Sequence, residues 1–223
     1  MRLVILILLA STISSCISSK KIDDIVKRYY DEKPIVKPEK VVQWYSINPE
    51  TNNIATFSTS ERTKSKFIPA ILYWQWHTVV ESDINKNITL SRFNNYLVSN
   101  SSTLELPNLL NGNTIEFSFD FLPSGFTYLE KGYTIIFIVG YSISDLNVIY
   151  PLNTSYILNY KVFNKNGEQV SSGKIRSENK EVPLKNDWKT SKNFTWLYLD
   201  EYNKHQDIAF EELIKLVEQE LRN

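Results

Sequence analysis

The chain has 223 residues and a mass of 26.0 kDa, with 25 basic and 25 acidic side chains. A formal net charge of zero argues against a protein that binds nucleic acid by neutralising phosphates, because such domains carry a basic excess. Hydrophobic residues make up 42% of the chain and charged residues 22%, which excludes wholesale disorder. The single cysteine excludes an intramolecular disulfide framework and a multi-cysteine metal cluster.

The amino terminus has the pattern of a secretory signal. Arg2 precedes an apolar run over residues 3–10, and small or polar residues follow over 11–15. The run is much shorter than the roughly 20 residues that cross a bilayer, so it is a poor permanent transmembrane helix. The next residue is the only cysteine of the chain. The four residues that end there resemble the lipobox of bacterial lipoproteins: Ile13, Ser14, Ser15 and Cys16.

The resemblance to bacterial lipoproteins implies cleavage before Cys16, a diacylglyceryl thioether on its sulfur and usually an acylated amino group. Several acyl chains anchor a protein firmly, where one gives only marginal binding. An ordinary signal peptide with a chance cysteine is the alternative. The residues after Cys16 include no adjacent aspartate, a pattern similar to that of lipoproteins sorted to the outer membrane. We therefore expect a periplasm-facing outer-membrane lipoprotein, with surface exposure as the alternative.

The sequence divides into a signal peptide over residues 1–15, a lipidated tether over 16–40 and a single domain over 41–223. The tether is predicted from its many charged residues and serines and from Pro34 and Pro38, which favour an extended backbone. Residues 24–30 could form a short helix, although nothing in them requires one.

The first half of the domain predicts strands at 41–47, 54–59 and 70–80. Thr89 is predicted to cap a helix that ends near residue 99, because Leu90, Phe93 and Leu97 recur at helical spacing. Residues 115–121 alternate between apolar and polar, which is typical of a half-buried strand, and a turn at 111–113 precedes them.

The second half predicts a central strand over 133–143, because this run is apolar on both faces. Residues 155–164 and 170–175 flank an Asn-Gly loop and predict a hairpin. A helix capped by Asp200 closes the chain, with Glu211–Lys215 and Glu218–Arg222 pairs on its solvent side. About seven mainly antiparallel strands with a middle helix and a carboxy-terminal amphipathic helix predict the α+β class.

Few residues suggest chemistry. His77, Glu81 and Asp83 could share one strand face, but a second histidine ligand would have to be His205, far along the chain. The sequence holds no nucleophile elbow, phosphate loop or zinc-protease motif. We therefore expect no catalytic residues, no metal and no cofactor. An enzyme whose carboxylates meet only in the fold stays possible.

The aromatic residues allow two interpretations. Trp74, Trp76, His77 and Trp188 could line a site for sugars or lipid, whereas the alternative is core filling, since Trp and Tyr pack well on pleated sheets.

The lipobox and the α+β architecture together are similar to small auxiliary lipoproteins of envelope transport and assembly systems. That resemblance implies a non-enzymatic, membrane-anchored protein that docks on an envelope protein complex and binds no nucleic acid. A lipoprotein that binds glycan or lipid through an aromatic cleft is the alternative. The sequence leaves the oligomeric state open.

Overall fold

The computed structural model describes residues 17–34, 43–49, 60–68, 73–136, 140–178 and 182–223. These residues form nine strands and four helices, which confirms the predicted α+β class, with two strands more than the seven expected. The helices are α1 (Ser19–Glu32), α2 (Lys86–Ser99), α3 (Leu106–Leu110) and α4 (Ser191–Arg222). The strands are β1 (Tyr45–Asn48), β2 (Ser60–Ile68), β3 (Tyr73–Asp83), β4 (Thr114–Phe121), β5 (Gly125–Ile136), β6 (Gly140–Pro151), β7 (Ser155–Phe163), β8 (Gln169–Glu178) and β9 (Leu184–Lys185).

The strands form two sheets. The first sheet has the order β1-β4-β7-β8, with β1 parallel to β4 and the other pairs antiparallel. The second sheet has the order β2-β3-β5-β6-β9 and is antiparallel throughout. Within the described residues, no helix combines the length and hydrophobicity that a membrane crossing requires.

Each sheet has its own hydrophobic core, and α4 contributes to both. The amino-terminal half of α4 packs on the second sheet together with α1, and its carboxy-terminal half packs on the first sheet together with α2 and α3. Phe194 and Tyr198 lie in the core of the second sheet, whereas Phe210 and Ile214 lie in that of the first.

The expected tether is folded where the structure describes it. Residues 19–32 form α1, and its buried residues recur at helical spacing along one face: Ile22, Ile25, Val26 and Tyr29. Because this face packs on the second sheet, residues 17–34 belong to the body of the protein. Pro38 and the rest of the expected tether, including Cys16, lie outside the described residues.

The two predicted helices begin earlier than expected. The side chain of Asn85 caps α2 by accepting the N–H of Asn87 at 2.9 Å, so Thr89 lies inside the helix, where it is buried. Thr190 caps α4, ten residues before the predicted cap at Asp200. In both cases a polar residue further upstream than the predicted one provides the cap.

The surface ion pairs of α4 follow the prediction in part. Lys215 and Glu211 form the expected pair at 2.5 Å. Glu218 instead is buried and accepts the N–H of Leu106 at 2.9 Å, while Arg222 pairs with Glu105. Glu218 therefore holds α3 against α4 rather than stabilising the helix from its solvent side.

The apolar run over 133–143 is not one central strand. It comprises the end of β5, the start of β6 and residues 137–139, which lie outside the described residues. Apolar residues on both faces indicated burial, yet Ile135 on this part of β5 is 38% exposed. Of the first three predicted strands, the structure gives β1 and β3 with shifted ends, and 54–59 lies outside the described residues.

Two local patterns gave correct predictions. Ile115, Phe117 and Phe119 of β4 are buried on one face, as the alternation predicted, after a turn in which Asn111 and Gly112 have positive φ. Strands β7 and β8 form the predicted hairpin, with Gly167 at φ 81° in the loop.

Phe210 provides a test of the packing of α4. Its ring is fully buried and meets the ring of Phe93 edge to face, with centroids 5.1 Å apart. We expect Phe210→Ala to lower the free energy of unfolding by about 3–5 kcal/mol, because it removes apolar contacts and leaves a cavity. Urea unfolding measures the loss. Ile208→Ala, at a position 61% exposed on the same helix, is the control, and an equal loss in both variants would contradict the assigned packing.

Candidate functional site

Of the four residues predicted to bind a ligand, two share one face of β3, one lies on its opposite face and one lies in another segment of the chain. Trp74 and Trp76 lie on the same face of β3, with ring centroids 5.9 Å apart, and Trp76 is buried. His77 points to the opposite face because side chains alternate along a strand. Trp188 is fully exposed in the segment before α4, with a φ of 70° that is uncommon outside glycine.

His77 lies in a row of basic side chains. In the register of the second sheet it lies opposite Lys64 of β2 on one side and opposite Lys131 of β5 on the other. Partial burial and the two lysine charges lower the pKa of His77, so the imidazole is neutral at pH 7. In the part of the chain that the structure describes, no group of three or more His, Cys, Asp and Glu residues could hold a metal ion.

Ile17 is the first residue that the structure describes. This residue is buried, and its N–H donates to Oε2 of Glu130 at 3.1 Å, while the N–H of Ser19 donates to Oε2 of Glu61 at 3.1 Å. Two carboxylates of the second sheet thus accept the amide protons at the start of α1, where the helix dipole favours negative charge. Burial raises the pKa of Glu130, against the opposing effects of the Ile17 N–H and the Lys21 charge.

Strand β8 is one edge of the first sheet among the described strands. It pairs with β7 on one side only, over residues 169–178. Val170 is 54% exposed, and Ser172, Lys174 and Arg176 are exposed as well. An edge of this length presents backbone donors and acceptors that a strand of another protein can pair with.

A polar cleft lies where α1, α2 and α4 meet, with a volume of about 920 Å³. Two pairs of charged side chains join its walls: Arg92 and Asp207 at 2.7 Å, and Lys33 and Asp200 at 2.6 Å. Arg92 also donates to the carbonyl oxygen of Asn203 at 3.0 Å. These contacts link the three helices by charge-assisted hydrogen bonds, which are stronger than neutral ones.

Three buried polar atoms of this cleft have no hydrogen-bond partner among the described residues: the Tyr30 hydroxyl, Arg92 Nε and Asn203 Oδ1. The neighbouring Tyr29 differs, because its hydroxyl donates to Asp200 at 2.7 Å and accepts from Asn203 Nδ2 at 2.8 Å. Burial raises the pKa values of both tyrosines, so both phenols are neutral. One hydroxyl, one N–H donor and one amide oxygen are a set that a polar ligand could satisfy.

Sequence reasoning did not find this cleft. Its residues come from three helices that are far apart in the chain, and Tyr30 and Arg92 belong to no motif. One signal was available: residues 22, 25, 26 and 29 form an apolar helical stripe, which would have placed Tyr29 and Tyr30 on a packed helix.

Comparisons of the chain with protein-family models, with curated proteins and with solved structures gave no match.

The two adjacent tyrosines allow a matched test of the cleft. We expect Tyr29→Phe to lower the free energy of unfolding by about 1–2 kcal/mol, because it removes two hydrogen bonds and leaves Asp200 and Asn203 with one partner fewer. Tyr30→Phe removes a hydroxyl without a partner, so stability should change by less than about 0.5 kcal/mol or rise. Urea unfolding of both variants measures the difference, and a larger loss for Tyr30→Phe would mean that its hydroxyl is bonded.

Proposed function

We propose that this protein is a non-catalytic bacterial lipoprotein, anchored through Cys16, that docks on a protein complex of the cell envelope. The observation that carries the proposal is the position of Ile17. This residue is buried and bonded to Glu130, directly after the cysteine. A lipid on residue 16 would therefore hold the whole body close to the bilayer surface, because consecutive Cα atoms are only about 3.8 Å apart.

Close attachment suits a subunit of a membrane-bound assembly. A body on a long flexible tether samples many orientations, whereas one that begins at its anchor has few, which lowers the entropic cost of docking beside another membrane protein. The β8 edge supports the same function, since it offers ten residues of strand for pairing with a partner. We expect the complex to face the periplasm from the outer membrane, as the residues after Cys16 imply.

Photo-crosslinking in living cells tests this function. A photoreactive amino acid at Ser172 on the β8 edge should give a crosslink to one envelope protein, identified by purification through a carboxy-terminal tag and mass spectrometry. The same residue at Lys27, an exposed position on α1, is the control and should give none to that protein. The docking proposal fails if position 172 gives no reproducible envelope partner.

The anchor is tested in the same cells. Cys16→Ser should abolish incorporation of a fatty-acid label, release the protein from the membrane fraction and remove the position-172 crosslink. Retention of label and membrane fractionation in the Cys16→Ser variant would rule out the lipid anchor, whatever the crosslink shows.

A second candidate function is the binding of an envelope glycan in the cleft between α1, α2 and α4. It is favoured by the three buried polar atoms of the cleft that have no hydrogen-bond partner among the described residues, because docking through the β8 edge does not explain them. Glycans are bound by such combinations of tyrosine, arginine and amide groups. Soluble peptidoglycan fragments should raise the melting temperature of the wild type and of Tyr29→Phe but not of Tyr30→Phe. No shift in any of the three proteins would exclude these fragments.

A further inference from the structure

The second sheet extends past the helices that cover it. Glu130, which accepts the N–H of Ile17, marks the start of α1 on this sheet, and the sheet residues packed in the helix-covered core lie on one side of that level. On the other side, β5 continues for six residues and pairs with β3 and β6. We call residues 64–68, 73–77 and 131–135 the sheet tip.

The sheet tip carries apolar and aromatic side chains on both faces. Phe67 is 57% exposed and Ile135 is 38% exposed. Tyr73 and Tyr133 stack on the face opposite to Trp74, with ring centroids 5.9 Å apart. Tyr73, Trp74 and Tyr133 are half-buried and Trp76 is buried, so the exposed apolar side chains are Phe67 on one face and Ile135 on the other. Exposed apolar surface beside half-buried aromatic rings favours a contact with another apolar phase.

Basic residues form the row of the sheet tip that lies nearest the rest of the sheet. Lys64, His77 and Lys131 are paired in one row across three strands, one residue beyond the level of Glu130. Phe67 and Trp74 form a row three residues further along, which is about 10 Å. Lys66 lies between these two rows, opposite Gln75, so two levels of lysine precede the row of Phe67 and Trp74 from body to tip.

This order matches the depth profile of a bilayer surface. Lysine side chains favour the level of the phosphates, and tryptophan and tyrosine favour the interface just below it. Among the described strands β2 is an edge strand, whose backbone groups need water, so the tip can enter the interfacial region but not the hydrocarbon centre.

We propose that the sheet tip inserts into the interfacial region of a phospholipid bilayer, with Lys64 and Lys131 at anionic headgroups and Phe67 and Trp74 below them. This inference rests on the proposed lipid anchor. Residue 16 would emerge at the level of Glu130 and the lysine row, so a glyceryl group on Cys16 would sit at headgroup depth while the tip points into the same leaflet.

The unusual cysteine count makes a direct test possible. Lipidation consumes the sulfur of the only cysteine, so a cysteine introduced by substitution can be labelled alone. Phe67→Cys and Val170→Cys are a matched pair, because the two residues are similarly exposed, at 57% and 54% respectively. Phe67 lies on the sheet tip, whereas Val170 lies on the β8 edge. Each variant of the full lipidated protein, isolated from membranes, receives an environment-sensitive nitrobenzoxadiazole label and is reconstituted into vesicles.

The vesicles contain phosphatidylcholine and phosphatidylglycerol at a ratio of three to one, with or without bromine atoms near the top of the acyl chains. We expect bromine to quench the label at position 67 by about twofold or more, because bromine quenches at short range and Phe67 lies at its depth. The label at position 170 should be unaffected. Lys64→Gln with Lys131→Gln, in the Phe67→Cys protein, should reduce the quenching most in vesicles rich in phosphatidylglycerol.

Two quenching results would overturn the inference: no quenching at position 67, or equal quenching at both positions. A third would be a change in the fluorescence of the position-67 label with protein concentration in the absence of vesicles, because it would indicate that a second copy of the chain covers the tip. Each is interpreted on protein shown by mass spectrometry to be acylated at Cys16. Absence of that acyl group would instead refute the proposed function, so the two failures are distinguishable.

Discussion

The structure depends on the burial of one helix in two cores. Helix α4 has 32 residues and a length of about 48 Å, and it covers the second sheet with its first half and the first sheet with its second half. Tyr198 and Phe210, twelve residues apart, are each nearly or fully inaccessible to water in different cores. Because a continuous helix bends little, it fixes how far apart the two sheets lie and how they are oriented. The cleft between α1, α2 and α4 lies beside the point where the two halves of α4 meet. There the polar residues Asn203 and Gln206 interrupt the series of apolar residues that α4 buries.

Burial of α1 has a consequence for the proposed anchor. An extended segment after Cys16 would separate the proposed lipid from the body, but Ile17 is already packed and Glu130 accepts its N–H. The carboxylate is retained in this buried position because it meets the amides at the amino terminus of a helix, which favour a negative charge. The proposed membrane contact and the proposed docking edge then belong to different sheets, so the protein can engage a bilayer and a partner at the same time.

The local parts of the fold were predictable and the long-range parts were not. Alternation in 115–121 and the Asn-Gly loop between β7 and β8 depend only on neighbouring residues, and both predictions were correct. The run over 133–143 was misinterpreted because apolar residues on both faces indicate a buried strand in a soluble domain, whereas here the chain reverses within it. In the expected tether the sequence allowed only a short helix at 24–30, because charged residues and prolines dominate that composition, although the apolar stripe of α1 was present.

The sequence by itself determined the α+β class and the local pairing of the β7–β8 hairpin, and it predicts a signal-like amino terminus that resembles a lipobox. These follow from periodicity, composition and turn chemistry within short stretches. Only the tertiary structure decided that Tyr30 and Arg92 share a cleft and that Lys64 and Lys131 lie in one row of the sheet tip. Each of these depends on strand register or helix packing between residues tens of positions apart. Such long-range contacts are set by the total burial of apolar surface and leave no fixed spacing in the sequence.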